Sequence, residues 1–238
     1  MENFAPSVVA QSAAPERKFR PGVRVIKLSG LIGLNERINV AAVRRQIAAR
    51  DFQHLHLEIE TSGGTSAEAF EIYDIFRAMT VPVSARASRE CLSAGMIILM
   101  AGDFRVASPG ARFLIHPSHV GREEMPERLT AASLYAQAEA LLRCDRRVAQ
   151  LFSDRTGHDV NWFLDEKETE ELLSDVAALE VGLIHEIEGM GGQPKSGWPD
   201  AARKMLASRN IYLPPRLCSE NYFSACRCAA SLFEEVAA

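Results

Sequence analysis

The sequence has little of what marks several large classes of protein. Its five cysteines are too few, and of the wrong parity, for a disulfide framework. Cys218, Cys226 and Cys228 form a C-x7-C-x-C pattern with no nearby histidine, which is a poor match to a zinc site. No run approaches the roughly 18 apolar residues of a membrane span, and the N-terminus has no apolar export signal. These absences predict a cytoplasmic protein without a metal.

An excess of basic charge is also missing. The net charge is -4, and the 27 lysines and arginines are dispersed along the chain, so no stripe is available to neutralise phosphates. We therefore expect no nucleic acid partner. Hydrophobic residues make up 47% and charged residues 24% of the 238 residues, which is ordinary for a globular chain with one substantial core.

The chain divides into three parts by composition. Residues 1–22 carry Ala, Ser, Pro and mixed charge without periodicity, which predicts a flexible N-terminal arm. Residues 23–190 carry the regular apolar patterns of a folded domain. Residues 191–238 begin with a Gly/Pro/Ser-rich linker and continue with short helical patterns, and we predict a helical tail of unknown role.

Strand and helix patterns alternate through the central part. β-branched or alternating apolar residues predict strands at 23–30, 55–60, 81–88 and 112–116. Helical spacing or continuous apolarity predicts helices at 39–50, 67–79, 93–102 and 126–157. This alternation is typical of an α/β protein with a parallel sheet covered by helices.

The pattern of ECLSAGM predicts that Ser93 lies where a polar turn runs into an apolar helix. At a helix N-terminus its hydroxyl and the N–H of Ala94 would favour a developing negative charge. The simpler interpretation is that Ser93 only caps the helix, because serine is a common N-cap residue.

His116 follows an apolar strand and precedes Pro117, so its ring would emerge at the rim of the sheet. An imidazole there could take a proton from a serine nucleophile, although a lone histidine at such a position often has only a structural role. His119 is three residues on, but a loop does not give the helical spacing of a metal pair. Gly63 and Gly64, after a strand, would let backbone N–H groups approach a substrate or an oxyanion closely.

Taken together, these segments resemble the Clp protease proteolytic subunit family. The family's strand and Gly-Gly turn correspond to IETSGG (59–64), its next helix to EIYDIF (71–76) and its nucleophile turn to CLSAGM (91–96). LMAGDFRVASPGARFLIHP (99–117) is similar to its apolar helix and Ile-His strand end, and ELLSDVAALEVGLIHEI (171–187) to its closing segment. The resemblance covers about residues 23–188.

The resemblance implies roles for particular residues. Ser93 would be the nucleophile, His116 its general base, and the N–H groups of Gly64 and Ala94 the oxyanion hole, with Gly63 contacting substrate. The family's third triad member, an aspartate, falls on Glu170, which is one methylene longer. Nearby carboxylates that could serve instead are Asp165, Glu166, Glu168 and Glu171.

The resemblance further implies a Clp/crotonase-like α/β fold of repeated ββα units with a parallel sheet, and with 126–157 as a long protruding handle helix. The implied activity is that of a serine endopeptidase that cleaves unfolded polypeptides without a cofactor. It would work in homo-oligomeric rings, fed by an ATP-driven AAA+ unfoldase.

Three alternatives remain open from the sequence. The replaced aspartate is compatible with a non-catalytic ring subunit of the same fold. A crotonase-type acyl-CoA hydratase or isomerase would use a similar oxyanion hole but leaves the Ser93 turn unexplained. A Ser-Lys peptidase needs a suitably placed lysine, and none lies between Lys27 and Lys167.

Overall fold

The computed structural model describes residues 22–48, 52–121, 125 and 128–189. The strands are β1 (Val23–Ser29), β2 (His54–Thr61), β3 (Val83–Leu92), β4 (Phe104–Ala107), β5 (Arg112–Leu114), β6 (Leu172–Ser174) and β7 (Glu186–Ile187). The helices are α1 (Val40–Ile47), α2 (Ser66–Arg77), α3 (Ala94–Leu99), α4 (Ala131–Thr156), α5 (Val160–Glu166) and α6 (Asp175–Glu180). The predicted N-terminal arm and C-terminal tail lie outside the described residues, apart from residue 22.

A mostly parallel sheet in the order β1-β2-β3-β4-β7 forms the centre of the fold. Helices connect its successive parallel strands, as the alternation in the sequence predicts. The long strand β3 pairs with β4 through Ser84–Ala87 and with β5 through Glu90–Leu92. β6 then adds to β5 in the antiparallel direction. This mixed α/β architecture confirms the predicted fold class.

The core lies between the sheet and helices α2 and α3. All six residues of α3 are buried, and α2 buries Ala69, Phe70, Ile72 and Phe76. The fully buried strand residues Leu57 and Ile59 belong to the same apolar cluster. The end of β3, and the residue after it, are therefore fixed by packing from the helix side and by pairing from the sheet side.

Helix α4 has 26 residues and changes character along its length. Its buried residues, Asp145, Ala149, Phe152 and Thr156, all lie in the second half, which packs on the domain. The first half exposes Leu134, Tyr135 and Leu142.

Three details of the predicted elements are wrong. Strand β3 continues to Leu92, where the sequence suggested a polar turn, because residues 90–92 pair with β5, 22 residues further along. The long helix was expected from 126, but residues 128–130 are not helical. It begins at Ala131, since Thr130 and Ser133 form a capping box. Strand β4 was not expected as a separate strand.

Buried histidines should make the fold sensitive to acid. His54 is 6% exposed and hydrogen-bonded to the hydroxyl of Ser84 at 2.7 Å. Burial lowers its pKa from 6.5 to about 4, in spite of Asp103. Burial, with Arg105 and Arg155, also lowers the pKa of His185. Between these folded values and the unfolded value near 6.5 only the unfolded chain binds the proton, so stability falls as pH falls through this window.

We expect His54 alone to cost about 2 kcal/mol of unfolding free energy between pH 7.5 and pH 5. Urea unfolding at the two pH values, at one protein concentration, would measure this loss. A His54→Gln variant should show a pH-dependent loss smaller by about that amount. An identical pH dependence in the variant and the wild type would contradict the prediction.

Candidate active site

Ser93 occupies the sharp turn between β3 and α3 and does not serve as an ordinary helix cap. Its backbone has φ 54° and ψ −124°, a conformation that non-glycine residues rarely adopt, and its side chain makes no capping hydrogen bond. Its N–H donates to the carbonyl of Leu114 at 2.9 Å, which holds the turn against β5. Strain of this kind costs about 1–3 kcal/mol and is found mainly where a side chain must be presented for function.

His116 lies two residues beyond the end of β5. Because β3 and β5 run parallel with Leu92 opposite Leu114, the chain leaves both strands at the same edge of the sheet. The Nε2 atom of His116 lies 2.7 Å from the hydroxyl oxygen of Ser93. Its Nδ1 atom lies 2.8 Å from the carbonyl oxygen of Pro117.

The Pro117 contact determines which ring nitrogen carries the proton. A carbonyl oxygen can only accept, so Nδ1 must donate, and the neutral imidazole then has its lone pair on Nε2. Nε2 therefore accepts from the Ser93 hydroxyl. This is the tautomer in which a histidine can act as a base toward a serine.

The turn at Gly63 and Gly64 requires glycine at both positions. Their φ values are +104° and +140°. A Cβ on Gly63 would lie 2.7 Å from Cβ of Ser93, and one on Gly64 would lie 2.0 Å from the carbonyl oxygen of Ile32. Within the described part of the chain, neither Gly64 nor Ala94 donates its N–H in a hydrogen bond. Both N–H groups therefore stay available to another acceptor.

A cavity of about 630 Å³ opens beside Ser93 and His116, and Gly64 and Ala94 also line it. Its other walls combine apolar and polar groups. Apolar side chains along it include Ile97, Leu141, Val148, Phe152 and Phe163. The polar lining includes Ser62, His119, Asp145 and Lys167. An apolar wall with a few convergent polar groups is typical of a ligand-binding pocket.

The structure does not bring Glu170 to His116. Glu170 is exposed, has φ 53°, and does not line the cavity. The hydrogen bond of His116 Nδ1 goes to Pro117 instead. Among the alternative carboxylates, Glu168 pairs with Lys167, and burial together with Glu171 raises the pKa of Glu166. The role of Glu170 as third triad member therefore stays a prediction.

Asp145 and Lys167 are two buried residues of the cavity wall that the sequence analysis missed. Oδ2 of Asp145 lies 3.2 Å from Nζ of Lys167, and Oδ1 accepts from the N–H of Ser118 at 2.8 Å. Burial would lower the pKa of Lys167, but its bonds to Glu168 and Asp145 raise it. Asp145 lies on the apolar stripe of α4, four residues after Leu141 and four before Ala149. The sequence signal that could have identified Asp145 was an acidic residue within the apolar stripe of a predicted helix.

Other reactive side chains near the site do not form a metal centre. The rings of His116 and His119 are 5.3 Å apart between centroids. In the described ranges, no group of three or more His, Cys, Asp or Glu residues could hold a metal ion. Burial raises the pKa of the Cys91 thiol, which belongs to the buried core two residues before Ser93. The same ranges contain no helix long and apolar enough to cross a membrane.

A serine hydroxyl bonded to the correct imidazole tautomer, with backbone N–H donors beside it, is the arrangement found in serine hydrolases. The family model described as Clp protease matches residues 38–190, more than half of the chain. The chain belongs to the Clp protease family.

A solved structure has a similar fold. A point mutant of ClpP1 from Listeria monocytogenes superposes with a TM-score of 0.58. The match covers 75% of this chain and 94% of that chain at 19% sequence identity. At this identity the likeness establishes the fold, and it supports the parallel α/β architecture derived above.

Proposed function

We propose that this chain is a serine endopeptidase that hydrolyses peptide bonds in unfolded polypeptides through an acyl-enzyme on Ser93. The observation that carries the proposal is the 2.7 Å contact between the Ser93 hydroxyl and Nε2 of His116. It is supported by the Nδ1 contact to Pro117, which leaves Nε2 able to accept a proton. Membership of the Clp protease family gives the reaction class.

In the proposed reaction, Oγ of Ser93 attacks the peptide carbonyl while Nε2 of His116 takes its proton. The oxyanion that forms accepts hydrogen bonds from the N–H groups of Gly64 and Ala94, and the glycine at position 63 lets the substrate backbone approach. His116 then gives the proton to the leaving amine. Water, activated by the same imidazole, hydrolyses the acyl-enzyme. The mechanism requires no metal or organic cofactor.

We also propose that the chain works as a homo-oligomeric ring together with an ATP-driven AAA+ unfoldase. A peptidase with broad specificity must be shielded from folded proteins, and Clp proteases achieve this in a closed chamber. The exposed Leu134, Tyr135 and Leu142 on the first half of α4 offer apolar contacts to a second ring. The sequence has no GxxxxGK[ST] motif, so ATP would bind to the partner.

One observation favours a second candidate, a non-catalytic ring subunit. Glu170 is exposed, and His116 has no direct carboxylate partner among the described residues. Removing the aspartate of a Ser-His-Asp triad commonly lowers the turnover about 10⁴-fold. A ring subunit with so weak a site would act as a scaffold, so the two candidates differ in the reactivity of Ser93.

Labelling with a fluorophosphonate probe tests the proposal. We expect one adduct per chain by intact mass, located on Ser93 by peptide mapping. Ser62→Ala is the matched control, because Ser62 lines the same cavity but has no bond to His116, and it should leave labelling unchanged. A folded, oligomeric wild-type protein that takes no adduct would support the scaffold candidate instead.

A further inference from the structure

The peptide group between Pro117 and Ser118 connects His116 to a buried carboxylate. Its carbonyl oxygen accepts from Nδ1 of His116 at 2.8 Å. Its N–H donates to Oδ1 of Asp145, also at 2.8 Å. A single peptide group therefore bonds to the imidazole through its carbonyl oxygen and to Asp145 through its N–H.

Asp145 is well placed to hold this peptide in one orientation. It is 7% exposed and lies on the packed half of α4, so the helix fixes its backbone. Its second carboxylate oxygen pairs with Lys167 at 3.2 Å, and Lys167 is itself 9% exposed. Glu168 also contacts the ammonium group. The carboxylate therefore has a charged partner on one side and the Ser118 N–H on the other.

A negative charge at the N–H end of a peptide strengthens hydrogen bonding at its carbonyl end. Hydrogen bonds in a chain polarise one another, and the effect is larger in a buried site than in water. The Asp145 charge should therefore increase the electron density on the Pro117 carbonyl oxygen. A stronger acceptor there holds the proton of His116 on Nδ1, which is the task of the carboxylate in a Ser-His-Asp triad.

We propose that Asp145 is the positioning residue for His116 and acts through the Pro117–Ser118 peptide, with Lys167 as its counter-ion. It would thereby take the orienting role that the family resemblance implies for Glu170. The inference deepens the proposed function, on which it rests, because it completes a hydrogen-bonded series from Ser93 to His116, the peptide and Asp145. The series ends in a carboxylate, as a catalytic triad does, but a peptide group lies between the imidazole and that carboxylate.

Three variants separate this role from a merely structural one. Asp145→Asn keeps an oxygen that can accept from Ser118 but removes the charge. The double variant Asp145→Asn/Lys167→Gln also removes the ammonium charge that would otherwise be left without its Asp145 partner. Glu170→Gln tests the competing assignment. Thermal unfolding of each variant confirms that it is folded before its kinetics are compared.

The first readout is the rate of Ser93 reaction with the fluorophosphonate probe, resolved into a saturating rate and a half-saturating concentration. We expect Asp145→Asn to lower the saturating rate roughly 10- to 100-fold, as for a misplaced catalytic group. The probe concentration that gives half of this rate should stay unchanged. The double variant should be equally slow, and Glu170→Gln should differ from wild type by less than about twofold. Recovery of the wild-type rate in the double variant would overturn the proposal. A loss of rate in Glu170→Gln larger than that in Asp145→Asn would also overturn it.

The second readout does not depend on labelling. Magic-angle-spinning ¹⁵N spectra of protein labelled in its six histidine rings, with His116→Asn to assign the signal, report the tautomer of His116. We expect a single Nδ1–H form in the wild type and in Glu170→Gln, and a mixture of tautomers in Asp145→Asn. If the wild type takes no adduct, the proposed function fails, and this spectrum still decides the Asp145 proposal. An unchanged tautomer in Asp145→Asn would overturn it.

Discussion

Replacing either Ser93 or His116 by alanine is expected to lower the rate of peptide hydrolysis on the order of 10⁶-fold, and replacing both should lower it no further. The reason is that the two side chains form one unit, joined by the 2.7 Å hydrogen bond. Without the imidazole the hydroxyl remains protonated and is a poor nucleophile, and without the hydroxyl the imidazole has nothing to activate.

This prediction is best measured with an unfolded fluorogenic polypeptide and with the three variants side by side. His119→Ala is a matched control, because its ring contacts that of His116 but has no bond to Ser93. It should retain activity within about an order of magnitude, since it removes packing and not a reacting group. If the rate loss in the double variant equalled the product of the two single losses, the prediction would be contradicted. Such a result would mean that Ser93 and His116 act independently.

Replacing Gly64 by alanine is expected to lower the reaction rate about 10²- to 10³-fold, as the loss of one oxyanion donor does. The added Cβ would lie 2.0 Å from the carbonyl oxygen of Ile32, so the turn must shift. The φ of +140° is also unfavourable for alanine. Because the Gly64 N–H moves with the turn, it leaves the position beside Ser93 where it could meet an oxyanion.

Gly110→Ala is the matched control for this substitution. Gly110 also has positive φ, +78°, but a Cβ there would meet nothing within 4 Å. Both variants therefore carry backbone strain, and only Gly64→Ala carries the collision near the site. Thermal unfolding should show a stability loss in both variants, larger in Gly64→Ala because of the collision, and rates measured well below both melting temperatures should fall only in Gly64→Ala. Equal rates in the two variants would rule out a donor role for Gly64.

Much of this arrangement could be predicted from local patterns. Strands β1 and β2 and helix α2 lie close to their predicted limits, because their apolar periodicity coincides with the buried faces. The expected roles of Ser93 and His116 came mainly from the family resemblance, with a strand end at His116 and a helix start at Ser93 as the supporting local patterns.

Features that depend on distant partners were not predictable in this way. The last residues of β3 looked like a polar turn, and only their pairing with β5 makes them a strand. Strands β6 and β7 are three and two residues long, too short to carry a pattern of their own. Asp145 lies within the helix predicted at 126–157, and its role has no local signal because its partners, Ser118 and Lys167, are more than 20 residues away along the chain.

The role predicted for Glu170 rests on linear correspondence alone and stays a prediction. The residue lies at the position of the family's aspartate, but its backbone has φ 53° and its side chain is exposed. A role that depends on the direction of a side chain cannot be read from its place in the sequence. The variants of Asp145 and Glu170 decide between the two carboxylates.

The parallel register of β3 and β5 also has a consequence for how the protein matures. Ser93 and His116 meet only because Leu92 stands opposite Leu114, and a slip of one residue would displace the ring by about 3.3 Å and turn it to the other face of the sheet. Pairings between distant residues form late in folding, since loop closure must come first. A nascent chain that ends before residue 116 lacks the base altogether. If Ser93 acts as the proposed nucleophile, it therefore gains its base only after β5 has been made and has paired with β3.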